Sequence, residues 1–399
     1  MEENLPSNNQ LTEKTLCKDS DLANKAVFLP YFTISIIIMN FLIFIISFAN
    51  FEEIALTFGL IPAHLNIGAL FTYSFLHDGP GHLFINMAGL YIFGSRAERI
   101  WGWLEYAVFC LSAGVFSGLI YILSVHLFFS SQQDQVMVGS SGVVFAIMGF
   151  CAIRFRYKTV KIKNLKLPVS AGILAILIIQ IILALLSFIN LELRSIAFAS
   201  HLGGFAFGMA IAIISGKALD SEREYLYQKA EELSMSGSML EAIQCFETLL
   251  KYDPENAQSY AELGKLWAII DEEKQSIPCY MMAVELYISN GSENKAIEIQ
   301  KEMAAFWPNV KINSASKFRL AQYLEESGQP EQAMNEFFKL SEDEPQTLEA
   351  EMALLKLAQM QSALSQNPIE AKETYKHFIQ RYPNSKWKSF AEKEIGNSV

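Results

Sequence analysis

The chain has 399 residues, enough for two or three domains, and a net charge of −11. That charge is one-sided: residues 1–216 hold 12 basic and 12 acidic side chains, so the whole excess lies beyond them. An acidic C-terminal half argues against nucleic-acid binding and against electrostatic attachment to anionic lipid.

Residues 1–25 are polar, rich in Asn, Ser, Lys and Glu, and read as a disordered leader. The apolar run that follows is too long for a signal peptide and starts too late, so it is read as a retained span. Six membrane spans are predicted, near residues 28–49, 82–99, 103–127, 137–153, 168–190 and 196–215. The first, third and fifth follow from hydropathy alone. The second and fourth are short and carry Gly, Asn or Ser; the charge pattern requires them. Lys and Arg are absent between Lys25 and Arg96 and between Arg99 and Arg154. Arg154, Arg156, Lys158, Lys161, Lys163 and Lys166 then crowd one loop. Six spans put that loop, the Arg96/Arg99 turn and both termini on one side, which the positive-inside rule makes cytoplasmic. The pattern suits a multi-pass protein of a bacterial inner membrane. The loop from Phe51 to Gly81 is expected to lie outside and to pack partly into the outer leaflet. Cys17, Cys110, Cys151, Cys245 and Cys279 show neither CxxC nor metal spacing, and no structural disulfide is expected.

Polar side chains within the spans are expensive and therefore informative. Span two carries His82 and Asn86, one helical turn apart on one face, with Glu98 near its inner end. Span four opens on Gly139-Ser140-Ser141-Gly142. Span six carries His201, followed at i+3 and i+7 by Gly204 and Gly208. The topology puts Ser141 and His201 at the same outer depth. The small residues of the two spans, Gly142, Ala146 and Gly149 against Gly204 and Gly208, allow the close crossing that a Ser–His contact requires. Ser141 is then a nucleophile with His201 as its base. His82, Asn86 and the amides of Ser140 and Ser141, at the positive end of span four, surround a developing oxyanion. No acidic residue fits a third position, so a dyad is expected.

These strings resemble the rhomboid family of intramembrane serine proteases: His82-Leu83-Phe84-Ile85-Asn86, Gly94-Ser95-Arg96-Ala97-Glu98, Gly139-Ser140-Ser141-Gly142, and His201 with its glycines. The resemblance covers about residues 28–216. It implies Ser141 as nucleophile, His201 as base, His82 and Asn86 as oxyanion donors, and Glu98 as a structural residue. It also implies transmembrane protein substrates with small or helix-breaking residues near the cut. Phe145 stands where many relatives carry Tyr; its ring is expected against His201. Position 73 is Tyr where some relatives carry a further His.

The tail repeats itself. Ala230, Gly237, Ala242, Phe246 and Pro254 have the spacing of Ala321, Gly328, Ala333, Phe337 and Pro345. Another unit runs through Tyr260, Leu263, Gly264, Trp267, Tyr280 and Ala283. Partial units end at Pro308 and Pro383, with Ala296 and Ala371 twelve residues before each. This resembles the tetratricopeptide repeat, a helix–turn–helix unit of about 34 residues. Four to five units are expected.

The fold expected is all-α, in three parts. A leader (1–25) precedes a six-span rhomboid-like bundle (26–216), and a cytoplasmic α-solenoid follows (217–399). The partners expected are the lipid bilayer, transmembrane substrates and a cytoplasmic protein or peptide at the repeats. Alone, Ser141 reads as a helix-packing serine, His201 as a polar bundle residue and Asn86 as interhelical glue; together with Gly139, Gly142 and His82 they read as a catalytic set. The main alternative is a catalytically inactive relative, a membrane chaperone or scaffold, and intact Ser141 and His201 weigh against it. A pure adaptor anchoring the repeats would need no buried histidines. A metal site at His77, His82 and His201 is disfavoured by the lack of HExxH and of an acidic partner at their depth, and no cofactor or metal is expected.

Overall fold

The computed structural model describes residues 28–162, 165–187, 198–364 and 368–397. The leader, Cys17, Lys163 and Arg194 lie outside them. The chain forms two compact units, residues 1–222 and 223–399.

In the first unit, α1 (Tyr31–Ser47) runs through a 3₁₀ turn at Phe48–Asn50 into α2 (Phe51–Phe58). The short α3 (Ala69–Thr72) precedes α4 (Pro80–Gly89), a π-helical turn at Leu90–Gly94 and α5 (Ser95–Trp101). Then come α6 (Trp103–Phe128), α7 (Ser141–Arg154), a hairpin of β1 (Thr159–Ile162) and β2 (Leu165–Pro168), α8 (Val169–Ser187) and α9 (Phe198–Ile214).

The described residues refine several expectations. Among the described residues, two helical stretches, Tyr31–Phe58 and Trp103–Phe128, are by length and composition apolar and long enough to cross a bilayer on their own, or three if the bent pair Phe198–Ile214 and Lys217–Met235 is one span, where six spans were predicted. The second segment is interrupted by its π turn. The fourth is helical only from Ser141, because Met137 pairs in extended form with Leu60 and Gly139 sits at φ 115°. The loop after span one begins with the helix α2. Lastly, the all-α class admits a hairpin: the basic loop pairs Val160 with Leu167 and Lys161 with Lys166 in antiparallel register. Alternation of apolar and basic residues, as in Thr-Val-Lys-Ile and Leu-Lys-Leu, has the two-residue period of a strand.

The unit is apolar outside as well as inside. Ile46, Phe84, Ile85 and Phe128 are each about 70% exposed, far beyond the patches a soluble monomer leaves to water. Every residue of α7 from Gly142 to Cys151 is buried. It touches α9 backbone to backbone: a Cβ on Gly204, Gly208 or Gly149 would overlap the carbonyl of Gly142, Ala146 or Phe205. Lipid supplies no hydrophobic drive between helices, so contact this close is how such a pair gains dispersion energy.

The second unit is wholly helical among its described residues. It comprises most of α10 (Lys217–Met235), then α11 (Met239–Tyr252), α12 (Ala257–Ile269), α13 (Glu273–Ser289), α14 (Glu293–Phe306), α15 (Ser314–Glu326), α16 (Pro330–Asp343), α17 (Leu348–Leu364), α18 (Pro368–Arg381) and α19 (Lys388–Asn397). The repeated residues occupy repeated places. Ala230, Ala242, Phe246, Ala321, Ala333 and Phe337 are all buried, as are Ala296 and Ala371. Gly237 and Gly328 take positive φ in the turns between paired helices. Gly291 does so between α13 and α14, and Asp271 fills the same role, at φ 62°, between α12 and α13. α13 packs on both α12 and α14, and α14 carries Ala296 of the partial unit ending at Pro308.

Candidate active site

Ser141 is the first residue of α7, where the first turn leaves backbone N–H groups free and the helix dipole is positive. The extended stretch before it is held in place. The Gly139 amide donates to the Tyr73 carbonyl (2.9 Å), and the Tyr73 hydroxyl donates to the Gly114 carbonyl (2.8 Å). His201 reaches Ser141 from α9: Nε2 lies 2.7 Å from Oγ. The Phe145 ring stacks on the imidazole, centroids 4.6 Å apart and planes within 11°, as expected for a residue one turn after Ser141. A Cβ on Gly142 would strike the Ser117 and Ser200 side chains, so glycine there lets α6 and α9 close around the serine.

His82 and Asn86 flank the same loop from α4. A Cβ on Gly139 would lie 2.7 Å from the His82 ring, so glycine there serves both the positive φ and the close approach of the imidazole. Asn86 is 4% exposed, and its Nδ2 has no hydrogen-bond partner within the protein. A buried amide donor left open is costly unless a ligand or water meets it. These groups line one cleft of about 860 Å³, whose walls also include Phe84 and Ile92 on one side and Ile176 and Gln180 of α8 on the other.

Three side-chain contacts bear on the expected roles. Glu98 ties span two to the start of α1: its carboxylate accepts from the amides of Phe32 (3.0 Å) and Thr33 (2.8 Å) and from the Thr33 hydroxyl (2.7 Å). It accepts from first-turn amide donors that the N-cap residue, Pro30, has no side-chain acceptor to satisfy. The Ser140 side chain turns away from Ser141 toward His77, 3.4 Å from its Nε2, which leaves only its backbone for an oxyanion. An acidic partner does exist at histidine depth: Asp78 Oδ1 lies 2.7 Å from His82 Nδ1. His77 is fully buried, edge-on to His82. Burial, with His82 nearby, pushes its imidazole down to about 4, so it is neutral near pH 7.

One further group escaped the sequence reading. Gln180 Oε1 stands 3.0 Å from His201 Nδ1. Among the described residues, no three His, Cys, Asp or Glu side chains converge as metal ligands.

Comparison with known proteins agrees with the fold. Residues 64–218 match the family model described as the rhomboid domain, and residues 352–385 match the tetratricopeptide repeat. The chain is 26% identical over 166 residues to rhomboid-type serine protease 2 of Emericella nidulans, covering 41% of this chain and 30% of that one. With rhomboid-type serine protease 2 of Debaryomyces hansenii it shares 25% identity over 187 residues, 46% of this chain and 64% of that one. It thus spans less than two thirds of either relative. Among solved structures, the crystal structure of YrrB, a TPR protein with an unusual peptide-binding site, aligns with 42% of this chain and 90% of its own at 16% identity and a TM-score of 0.25. The chain thus contains a rhomboid domain at residues 64–218, with a tetratricopeptide-repeat-like region following it.

Proposed function

We propose that the protein is an intramembrane serine endopeptidase that cuts transmembrane protein substrates near the outer membrane face. The observation that carries this reading is the 2.7 Å contact between Ser141 Oγ and His201 Nε2 at the mouth of a cleft between α4 and α8. A substrate segment enters that cleft and unwinds locally. The Ser141 hydroxyl attacks the scissile carbonyl carbon while His201 Nε2 takes its proton, and the imidazolium then gives that proton to the leaving amine. Water, deprotonated by the same imidazole, hydrolyses the acyl-enzyme. Asn86 Nδ2, His82 and the Ser141 amide hold the negative oxygen of each tetrahedral intermediate.

Six membrane segments carry this site in a bacterial inner membrane, with both termini and the repeats cytoplasmic. Catalysis needs no cofactor or metal. The repeat unit binds a cytoplasmic protein or peptide partner.

A serine-directed fluorophosphonate probe tests the reading. Wild-type protein in detergent should label, and Ser141→Ala and His201→Ala should not. Equal labelling of all three points to a client-binding scaffold instead.

A further inference from the structure

We propose that Gln180 is a positioning residue for the base, a third member that completes the dyad from the opposite wall of the cleft. This rests on the reading of His201 as the base. The tautomer decides the matter. For Ser141 to donate its proton, His201 Nε2 must be bare, so the neutral ring carries its hydrogen on Nδ1. That hydrogen needs an acceptor, and Gln180 Oε1 stands 3.0 Å away. Turned the other way, the amide would present N–H groups to Nδ1, force the hydrogen onto Nε2 and block the attack.

An amide suits this place better than a carboxylate. Between Leu174 and Leu186 of α8, Gln180 is the lone polar side chain, and an anion there would carry the cost of charge in an apolar helix. When His201 takes the serine proton, the same oxygen accepts a charge-assisted bond from the imidazolium. Placement adds a consequence. α8 forms one wall of the cleft that the substrate must enter, so the base is oriented only while that wall lies against α9. Displacing α8 to admit a segment frees His201, and its return restores the chain Gln180–His201–Ser141.

The test is a substitution pair measured on the full chain in detergent or liposomes with a model transmembrane substrate. Gln180→Leu keeps the volume and is the more lipid-compatible choice; Gln180→Glu keeps an acceptor oxygen. A positioning role predicts that Gln180→Leu lowers kcat about 10- to 100-fold with KM little changed, and that Gln180→Glu keeps more activity than Gln180→Leu. A packing role predicts the reverse order. Thermal unfolding confirms that both variants fold. Wild-type kcat in Gln180→Leu, or Gln180→Glu weaker than Gln180→Leu, overturns the inference. Wild-type protein that cleaves nothing overturns the protease reading itself, which is a separate outcome.

Discussion

The two halves of this chain both depend on glycine, in opposite ways. In the rhomboid domain the important glycines are helical and stand where two backbones meet: Gly149, Gly204 and Gly208 have no room for a Cβ. In the repeats, Gly237, Gly291 and Gly328 lie in turns, with nothing within 4 Å of an added Cβ; each is there for its positive φ. The apolar side chains divide in the same way. The repeats bury theirs in seams centred on Phe246 and Phe337, whereas the first unit buries large side chains such as Ile147 and Phe150 and also leaves isoleucines and phenylalanines such as Ile46 and Phe84 outside. In water, burial of large side chains drives the packing. In lipid, exposing them costs nothing, and close fit is what remains to hold helices together.

The sharpest way to break this contrast is Gly208→Val. Its branched side chain would occupy the place of the Ala146 carbonyl, which cannot yield without moving α7. The expected outcome is loss of folded, probe-reactive protein, read by monodispersity and fluorophosphonate labelling; normal labelling would mean that α7 and α9 are not bound by backbone contact. Next in size is Phe337→Ala. Phe337 is fully buried, and its removal should cost about 3–5 kcal/mol in denaturant unfolding of the repeats, while labelling of Ser141 stays unchanged.

Gly237→Ala should be far milder than Gly208→Val. Only backbone strain at φ 87° opposes it, about 1–2 kcal/mol, read as a small fall in the melting of the repeats. Equal damage from the two glycine substitutions would erase the distinction drawn above. The smallest effect belongs to Glu293, which opens α14 and pairs with Arg319 at 2.7 Å. A hydrogen bond from its own backbone amide, and then Arg319, holds its carboxyl below the ordinary carboxylate range. A carboxyl depressed in the folded state stabilises above its unfolded value and loses that contribution as pH falls through its folded one. Glu293→Gln should therefore cost about 1 kcal/mol or less near neutrality, with the difference from wild type fading in acid. A difference that grows on acidification would contradict this sign.

Much of this was legible in the sequence. A histidine in a span is costly enough to demand a reason, and the glycines around Ser141 and His201 supplied the geometry that reason needed. The repeat could be read because its alanines and glycines recur at fixed intervals. What escaped had weaker signals of the same kind. Gln180, a lone amide in an apolar helix, invites the argument that singled out His201. Asp78 lies four residues before His82, the spacing of a helical side-chain pair, yet it precedes α4 and reads as loop. The irregular approach to Ser141 was hidden because Val136, Met137 and Val138 are as apolar as a helix; pairing with Leu60 decides their conformation, and no local pattern encodes that partner.

The shortness of α7 bears on how water would reach Ser141 in the proposed reaction. Fourteen residues rise only about 21 Å, against a hydrocarbon layer of about 30 Å. Because α7 is enclosed by neighbouring helices rather than by lipid, the missing length is made up inside the protein, on the side of Ser141, which lines a cleft of about 860 Å³. On the proposed protease reading, solvent reaches the serine through that cleft without crossing oil, and the length of α7 sets the depth at which it does so.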